Sequence, residues 1–139
     1  MKCVLDTNVL VAAVRSPKGG SAEILRRALT RRLEVSCSVP LFLEYEAVLS
    51  RPEQLQAAGV SVKDVGNLLD VLAGVLHPVE IQFLWRPQLR DPADDMVLET
   101  AVNGGAQSIV TFNHRDFLPQ VLRFGVTVLT PEQFLLQGA

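Results

Sequence analysis

The sequence has no surplus of basic residues: 13 Lys and Arg stand against 15 Asp and Glu, a formal net charge of −2. Bulk positive charge, the electrostatic footprint of many nucleic-acid-binding proteins, is therefore excluded. Any nucleic-acid contact must use local arginine clusters or a bound metal. Cysteine is scarce as well. Cys3 and Cys37 each lie in a short apolar run that reads as a strand. Two such residues make neither a zinc site nor a disulfide framework, and buried thiols in a reducing compartment are expected. No apolar run approaches the roughly 18 residues of a membrane span. Val9 to Val14 is the longest near the start, and Met1-Lys2 leads straight into Cys3-Val4-Leu5 with no signal region before it. A cytosolic protein with no membrane contact is expected. Repeats, low-complexity tracts, long charged polar stretches and nucleophile motifs are all missing, which excludes solenoids and disordered tails.

What is present is an ordinary globular composition: 139 residues, 48% hydrophobic and 20% charged. One domain over residues 1–139 is expected, long enough to bury a core without staples. Short apolar runs at Lys2–Leu5, 33–37, 108–112 and 126–129 read as strands. Residues 79–83 read as an extended edge segment. Between them come helical patterns. Residues 9–14 form a buried first helix, and Ser21 caps a second over 22–32. Ser38 caps a third, which reaches about Ser50 and stops at Arg51-Pro52. Ser61-Val62-Lys63-Asp64 is a capping box ahead of Val65, Leu68, Leu69, Leu72, Val75 and Leu76, with His77-Pro78 as the stop. Residues 85–93 form a loop, Asp94-Asp95 opens a helix, and Gly104-Gly105 closes it. Residues 113–125 are loop or short helix. Thr130-Pro131-Glu132-Gln133 caps the last helix, with Pro at its first position. This alternation predicts an α/β fold with a mostly parallel central sheet covered on both faces.

In such folds ligands sit beyond the carboxyl ends of the strands, a rule that selects among the acids. Asp6 directly follows the first strand. Asn113 and Asp116 follow the strand at 108–112. Asp94 and Asp95 stand at a helix start reached from a loop expected at the same edge. On the third helix, Leu41, Phe42, Tyr45, Val48 and Leu49 form the apolar stripe, and Glu44 projects at its border. Carboxylates brought together raise one another's pKa unless a cation neutralises them. A hard divalent ion held by such acids can activate water for phosphodiester hydrolysis. Taken one at a time, each of these residues also reads as a cap, a turn or a surface side chain.

Several runs carry a family resemblance. Asp6-Thr7-Asn8-Val9-Leu10 after the first strand resembles the opening of the PIN-domain family. So does Glu44 within Leu43-Glu44-Tyr45-Glu46-Ala47-Val48-Leu49. Arg90-Asp91-Pro92-Ala93-Asp94-Asp95, then Ile109 to Phe117, then Val126 to Phe134, is similar to the family's second half. The likeness runs through nearly the whole chain in order, and it is nearest the toxin branch related to the VapC toxins. It implies a three-layer α/β/α sandwich and a Mg²⁺- or Mn²⁺-dependent endoribonuclease acting on RNA. It also implies a homodimer and a partner antitoxin. By the same resemblance Asp6, Glu44 and Asp95 match the first three acids of the site. Asp116 is preferred as the fourth, because the alternative position holds Asn113. Thr7 and Asn8 would support the site or simply cap the following helix. Asp91, Asp94 and Glu99 are reserve acids, Glu99 standing four residues after Asp95 on one helix face.

Other features are weaker. Arg26, Arg27, Arg31 and Arg32 could meet RNA phosphates, and equally fit a solvated face or an acidic partner. His114 and Arg115 sit beside the expected site. Phe83 and Trp85 fit core or dimer packing, or base stacking. Two rival readings stand: a PIN-like module that binds RNA or protein without catalysis, favoured by Asn113, and a receiver-like domain using Asp6 as phosphoryl acceptor. The second lacks the late-strand lysine such a domain would want.

Overall fold

The computed structural model describes residues 2–82 and 88–138. Five strands form one sheet in the order β3-β2-β1-β4-β5. They are β1 (Lys2–Leu5), β2 (Glu34–Ser38), β3 (His77–Val79), β4 (Ser108–Val110) and β5 (Thr127–Leu129), and every pairing is parallel. Around them run α1 (Thr7–Arg15), α2 (Gly20–Leu29), α3 (Val39–Leu49), α4 (Pro52–Ala58), α5 (Val62–Val75), α6 (Pro92–Asn103) and α7 (Pro131–Leu136). Two 3₁₀ turns, His114–Asp116 and Gln120–Phe124, lie between β4 and β5. The expected α/β/α architecture is present. Cys3, Val4 and Leu5 are essentially solvent-free, as a central parallel strand covered on both faces requires.

The connections explain where a ligand would go. The chain moves outward from β1 through β2 to β3, then returns through α6 to place β4 on the other side of β1. Right-handed crossovers put outward and return connections on opposite faces. The direction of winding therefore switches between β1 and β4, the place where open parallel sheets leave a crevice.

Local sequence signals explain most element ends. Ser38 accepts from the Leu41 N–H to open α3. Ser61 and Asp64 close a reciprocal capping box on α5, and Thr130 and Gln133 do the same on α7. Several expectations need correction. Ser21 is not a cap: it is buried in the first turn of α2, whose N-cap is Gly19 with no side-chain bond. That helix ends at Leu29, not Arg32, because Arg31 turns left-handed at φ 61°. Arg51-Pro52 ends α3 and also starts α4, a helix not expected from the sequence, since a proline's fixed φ suits a first helical position. The edge strand is His77–Val79 rather than 79–83, with Pro78 tolerated because it is an edge. Residues 81 and 82 lie outside any strand, and Phe83 and Trp85 lie outside the described residues. Finally, α6 begins at Pro92 with Asp91 as its cap, so Asp94 and Asp95 occupy its first turn instead of opening it.

Candidate active site

Register aligns the strand ends. Leu5 pairs with Val110, and Val110 with Leu129. One residue further along, Asp6, Thr111 and Thr130 therefore stand in a row at the carboxyl edge. The Asp6 N–H donates to the Val110 carbonyl at 2.9 Å, and the Thr111 N–H to that of Leu129 at 2.9 Å. Beyond these bonds the sheet ends and side chains take over.

Asp6 is the N-cap of α1. Its Oδ1 accepts from the Thr7 N–H at 2.8 Å, and its Oδ2 accepts from the Thr111 hydroxyl at 2.7 Å. Asp6 is only 9% exposed. Burial pushes its pKa up; the two hydrogen bonds hold it down; the charges of Glu44 and Asp116 push it up again. Beneath it, the buried Tyr45 hydroxyl of α3 donates to the Leu5 carbonyl at 2.5 Å, locking the end of β1 against that helix.

Thr111 was not singled out from the sequence, because a strand carried to Phe112 hides it. The strand stops at Val110, and the buried Thr111 hydroxyl becomes a junction. It donates to Asp6, accepts from the Asn113 N–H at 3.0 Å and accepts from Asn8 Nδ2 at 3.4 Å. Asn8 Oδ1 also accepts from the Phe112 N–H at 3.4 Å. The cap of α1 is thus Asp6 itself. Asn8 ties the segment after β4 to α1, and Thr7 contributes its buried backbone N–H.

The other predicted acids divide into two groups. Glu44 is half-buried on α3, and Asp116 is exposed on the first 3₁₀ turn; both act on Asp6. Asp94 joins them. It is half-buried, and its pKa is raised from 3.8 to about 6, first by burial and then by the charges of Asp6, Asp91, Asp116 and Asp95. Asp95 is placed differently. It is 3% exposed, and its Oδ1 accepts from the backbone N–H groups of Gln88 (3.2 Å) and Leu89 (3.0 Å). Asp91 caps α6 by accepting from the Ala93 N–H at 2.9 Å. Glu99 is buried one turn beyond Asp95, and Asn113 is exposed. No three His, Cys, Asp or Glu side chains among the described residues form a ready cation cage.

The arginines in and just after α2 bond to groups other than these acids. Arg26 and Arg27 pair with Glu23, and Arg26 also reaches the Pro17 carbonyl. Arg31 donates to the Gly74 carbonyl and Arg32 to the Thr30 hydroxyl, just before β2 at the opposite edge. Cys3 and Cys37 are buried free thiols whose pKa values burial pushes up to about 12, so they stay protonated and unreactive.

Crowded carboxylates whose charges are opposed by burial and by each other are electrostatically prepared for a cation. All the candidate donors are carboxylate oxygens, which suit a hard divalent ion rather than zinc or copper.

Comparison with known proteins gives a consistent picture. The family model described as PIN domain matches residues 2–115. Three solved structures share the fold at low identity. VapBC2 from Rickettsia felis, bound to a DNA fragment from its promoter, matches with TM-score 0.64 at 16% identity, over 94% of this chain and 98% of that one. FitAB bound to the IR36 DNA fragment matches with TM-score 0.62 at 16% identity, over 93% and 94%. FitAcB from Neisseria gonorrhoeae matches with TM-score 0.52 at 17% identity, over 94% and 98%. No curated protein matches the sequence significantly.

Proposed function

The chain belongs to the PIN-domain family, and from that premise we propose that it is a metal-dependent endoribonuclease serving as the toxin of a toxin–antitoxin module. PIN domains are generally nucleases that use divalent metals. The observation that carries the reading is Asp6: a buried carboxylate at the β1/β4 switch point, held by Thr111 and facing the charges of Glu44 and Asp116. In this reading Asp6, Glu44, Asp95 and Asp116 hold Mg²⁺ or Mn²⁺, and Asp94, which shares their field, joins them. A bound cation supplies Lewis-acid activation of water and of the phosphodiester. The chain's own part is to hold Asp6 ionised and oriented through Thr7 and Thr111, and to exclude water from its buried side. Asp95 fixes the segment at Gln88 and Leu89 against α6.

The fold neighbours are toxin–antitoxin complexes, two of them solved with DNA. That supports an antitoxin as partner; a homodimer, an RNA substrate and a cytoplasmic location belong to the same proposal and rest on the family resemblance. No helix among the described residues is long and apolar enough to cross a membrane.

The test is cleavage of a labelled RNA by wild type and Asp6→Asn, with Mg²⁺, with Mn²⁺ and with EDTA. Metal-dependent cleavage that vanishes in Asp6→Asn supports the proposal; cleavage retained by that variant overturns it. Asn113 favours a second reading, a PIN-like module that binds RNA or protein without catalysis. A melting temperature indifferent to both metals would bring that reading forward, because a ligand that binds only the folded state must raise stability.

A further inference from the structure

Two recesses flank the acids. One, of about 430 Å³, is lined by residues that include Leu89, Arg90, Arg115, Asp116 and Leu118. The other, of about 420 Å³, is lined by Phe112, Asn113, His114, Arg115, Asp116 and Thr130. Arg115 and Asp116 belong to both, so they form the ridge between them. Asp116 is also one of the acids acting on Asp6 and Asp94. Both recesses therefore open directly beside the candidate centre.

Arg90 and Arg115 are exposed, and neither makes a hydrogen bond or ion pair among the described residues. Other arginines are engaged: Arg15 with Gln54, Arg31 with the Gly74 carbonyl, Arg123 with Gln88. Two guanidinium groups with all their donors free line a single recess next to a carboxylate cluster. A polyanion approaching a chain of net charge −2 is repelled by those acids and needs cationic contacts beside them. Guanidinium forks suit phosphate oxygens. Across the ridge Phe112 is 49% exposed, and its ring offers a surface on which an unstacked base can lie.

We infer that Arg90 and Arg115 clamp a backbone phosphate of single-stranded RNA beside the acidic centre, and that the strand crosses the Arg115–Asp116 ridge to set a base against Phe112. This assignment deepens the nuclease reading and rests on it for the position of the scissile phosphate.

The test measures fluorescence anisotropy of a dye-labelled single-stranded RNA of mixed sequence. It is done in EDTA and in the Asp6→Asn background, so that binding is read without cleavage. Adding Arg90→Gln with Arg115→Gln should weaken binding on the order of tenfold and make the log–log salt slope shallower by about 0.7, the value for one neutralised phosphate on a single strand. Phe112→Ala should weaken binding by about fivefold or more with the slope unchanged. Arg32→Gln, at the far edge of the sheet, should stay within about twofold of the parent. Arg90→Lys with Arg115→Lys keeps the charge, so it should keep the slope while losing affinity, which guards against misreading a folding defect. Unchanged affinity and slope in the Gln pair, or an equal loss in Arg32→Gln, overturns the inference.

The two proposals fail separately. Metal-dependent cleavage abolished by Asp6→Asn, together with arginine-independent binding, sinks the clamp and leaves the nuclease. Arginine-dependent binding with no cleavage in any metal sinks the nuclease and leaves the clamp.

Discussion

The two edges of the sheet are built by different means. At the carboxyl edge, four strands run out into short polar residues: Asp6, Ser38, Thr111 and Thr130. Three of these cap helices through their side chains, and the fourth bonds Asp6. At the amino edge the chain enters β2, β4 and β5 through left-handed residues, Arg31, Gly105 and Gly125, with φ of 61°, 65° and 71°. One edge is finished by side-chain chemistry and the other by backbone geometry. The helix N-termini gather at the first, where their partial positive charge favours anionic groups. Burial first, and then the neighbouring acids, keep the pKa values of Asp6 and Asp94 raised all the same. At the second edge Arg31 and Arg32 are tied to local oxygens. Function is therefore expected to break at one edge, and stability alone at the other.

The sharpest break is Asp6→Asn, which should lower RNA cleavage on the order of 10³-fold or more by weakening the cation site, worth several kcal/mol of transition-state stabilisation. Its fold should survive, as circular dichroism would verify. Thr111→Val comes next. It keeps the side-chain shape and removes the donor to Asp6, so Mg²⁺ affinity measured by calorimetry should fall by about 10- to 100-fold. A Thr111→Val protein with wild-type metal affinity would show that the hydroxyl only closes the sheet end.

At the other edge, Gly104 has ordinary helical φ, yet an added Cβ would stand 2.7 Å from Val79 Cγ2 and 2.9 Å from the Thr100 carbonyl. Gly104→Ala should cost about 1–3 kcal/mol of stability, read by urea titration, while activity per folded molecule stays unchanged.

The pH prediction concerns Asp94. Its raised pKa means that the folded chain holds the proton more tightly than the unfolded chain does. Its favourable contribution is thus complete below 3.8 and is lost as pH rises through about 6. In EDTA, the melting temperature of Asp94→Asn should gain on wild type between about pH 4 and pH 7, and a constant gap would refute the crowding of acids there. The smallest effect is expected from Arg31→Gly. Relief of the left-handed backbone should stabilise the protein by about 0.5–1 kcal/mol, partly offset by the lost bond to Gly74. Cleavage should not change.

Much of this molecule is legible in the sequence because its signals are local. Ser61 with Asp64 and Thr130 with Gln133 each specify a helix start within four residues, and Ser38 with Pro40 does so for α3. The alternation of apolar strand and amphipathic helix carries the α/β class. Asp6 was legible because it ends an apolar run, and Glu44 because helical periodicity puts it at the border of the stripe. Thr111 was not, since a threonine in an apolar run reads as strand and its partner lies 105 positions away. Position along the chain could not tell Asp94 and Asp95 apart either; only the family resemblance preferred Asp95. They are neighbours at a helix start, and only the path of the chain at Gln88 and Leu89 gives Asp95 two backbone hydrogen bonds, while burial and the surrounding acids, Asp95 included, raise the pKa of Asp94.

By itself, then, the sequence determined what depends on spacing and chemistry close along the chain: the elements, their caps, the parallel class of the sheet and a short list of acids. The tertiary structure alone decided what depends on which strands are neighbours. Setting β4 beside β1 brought the Thr111 hydroxyl onto Asp6, and the turn after β4 brought Asp116 and Arg115 beside the same acids. The reason is physical: electrostatic coupling and hydrogen bonding fall off with distance in space, and distance along the chain does not report it.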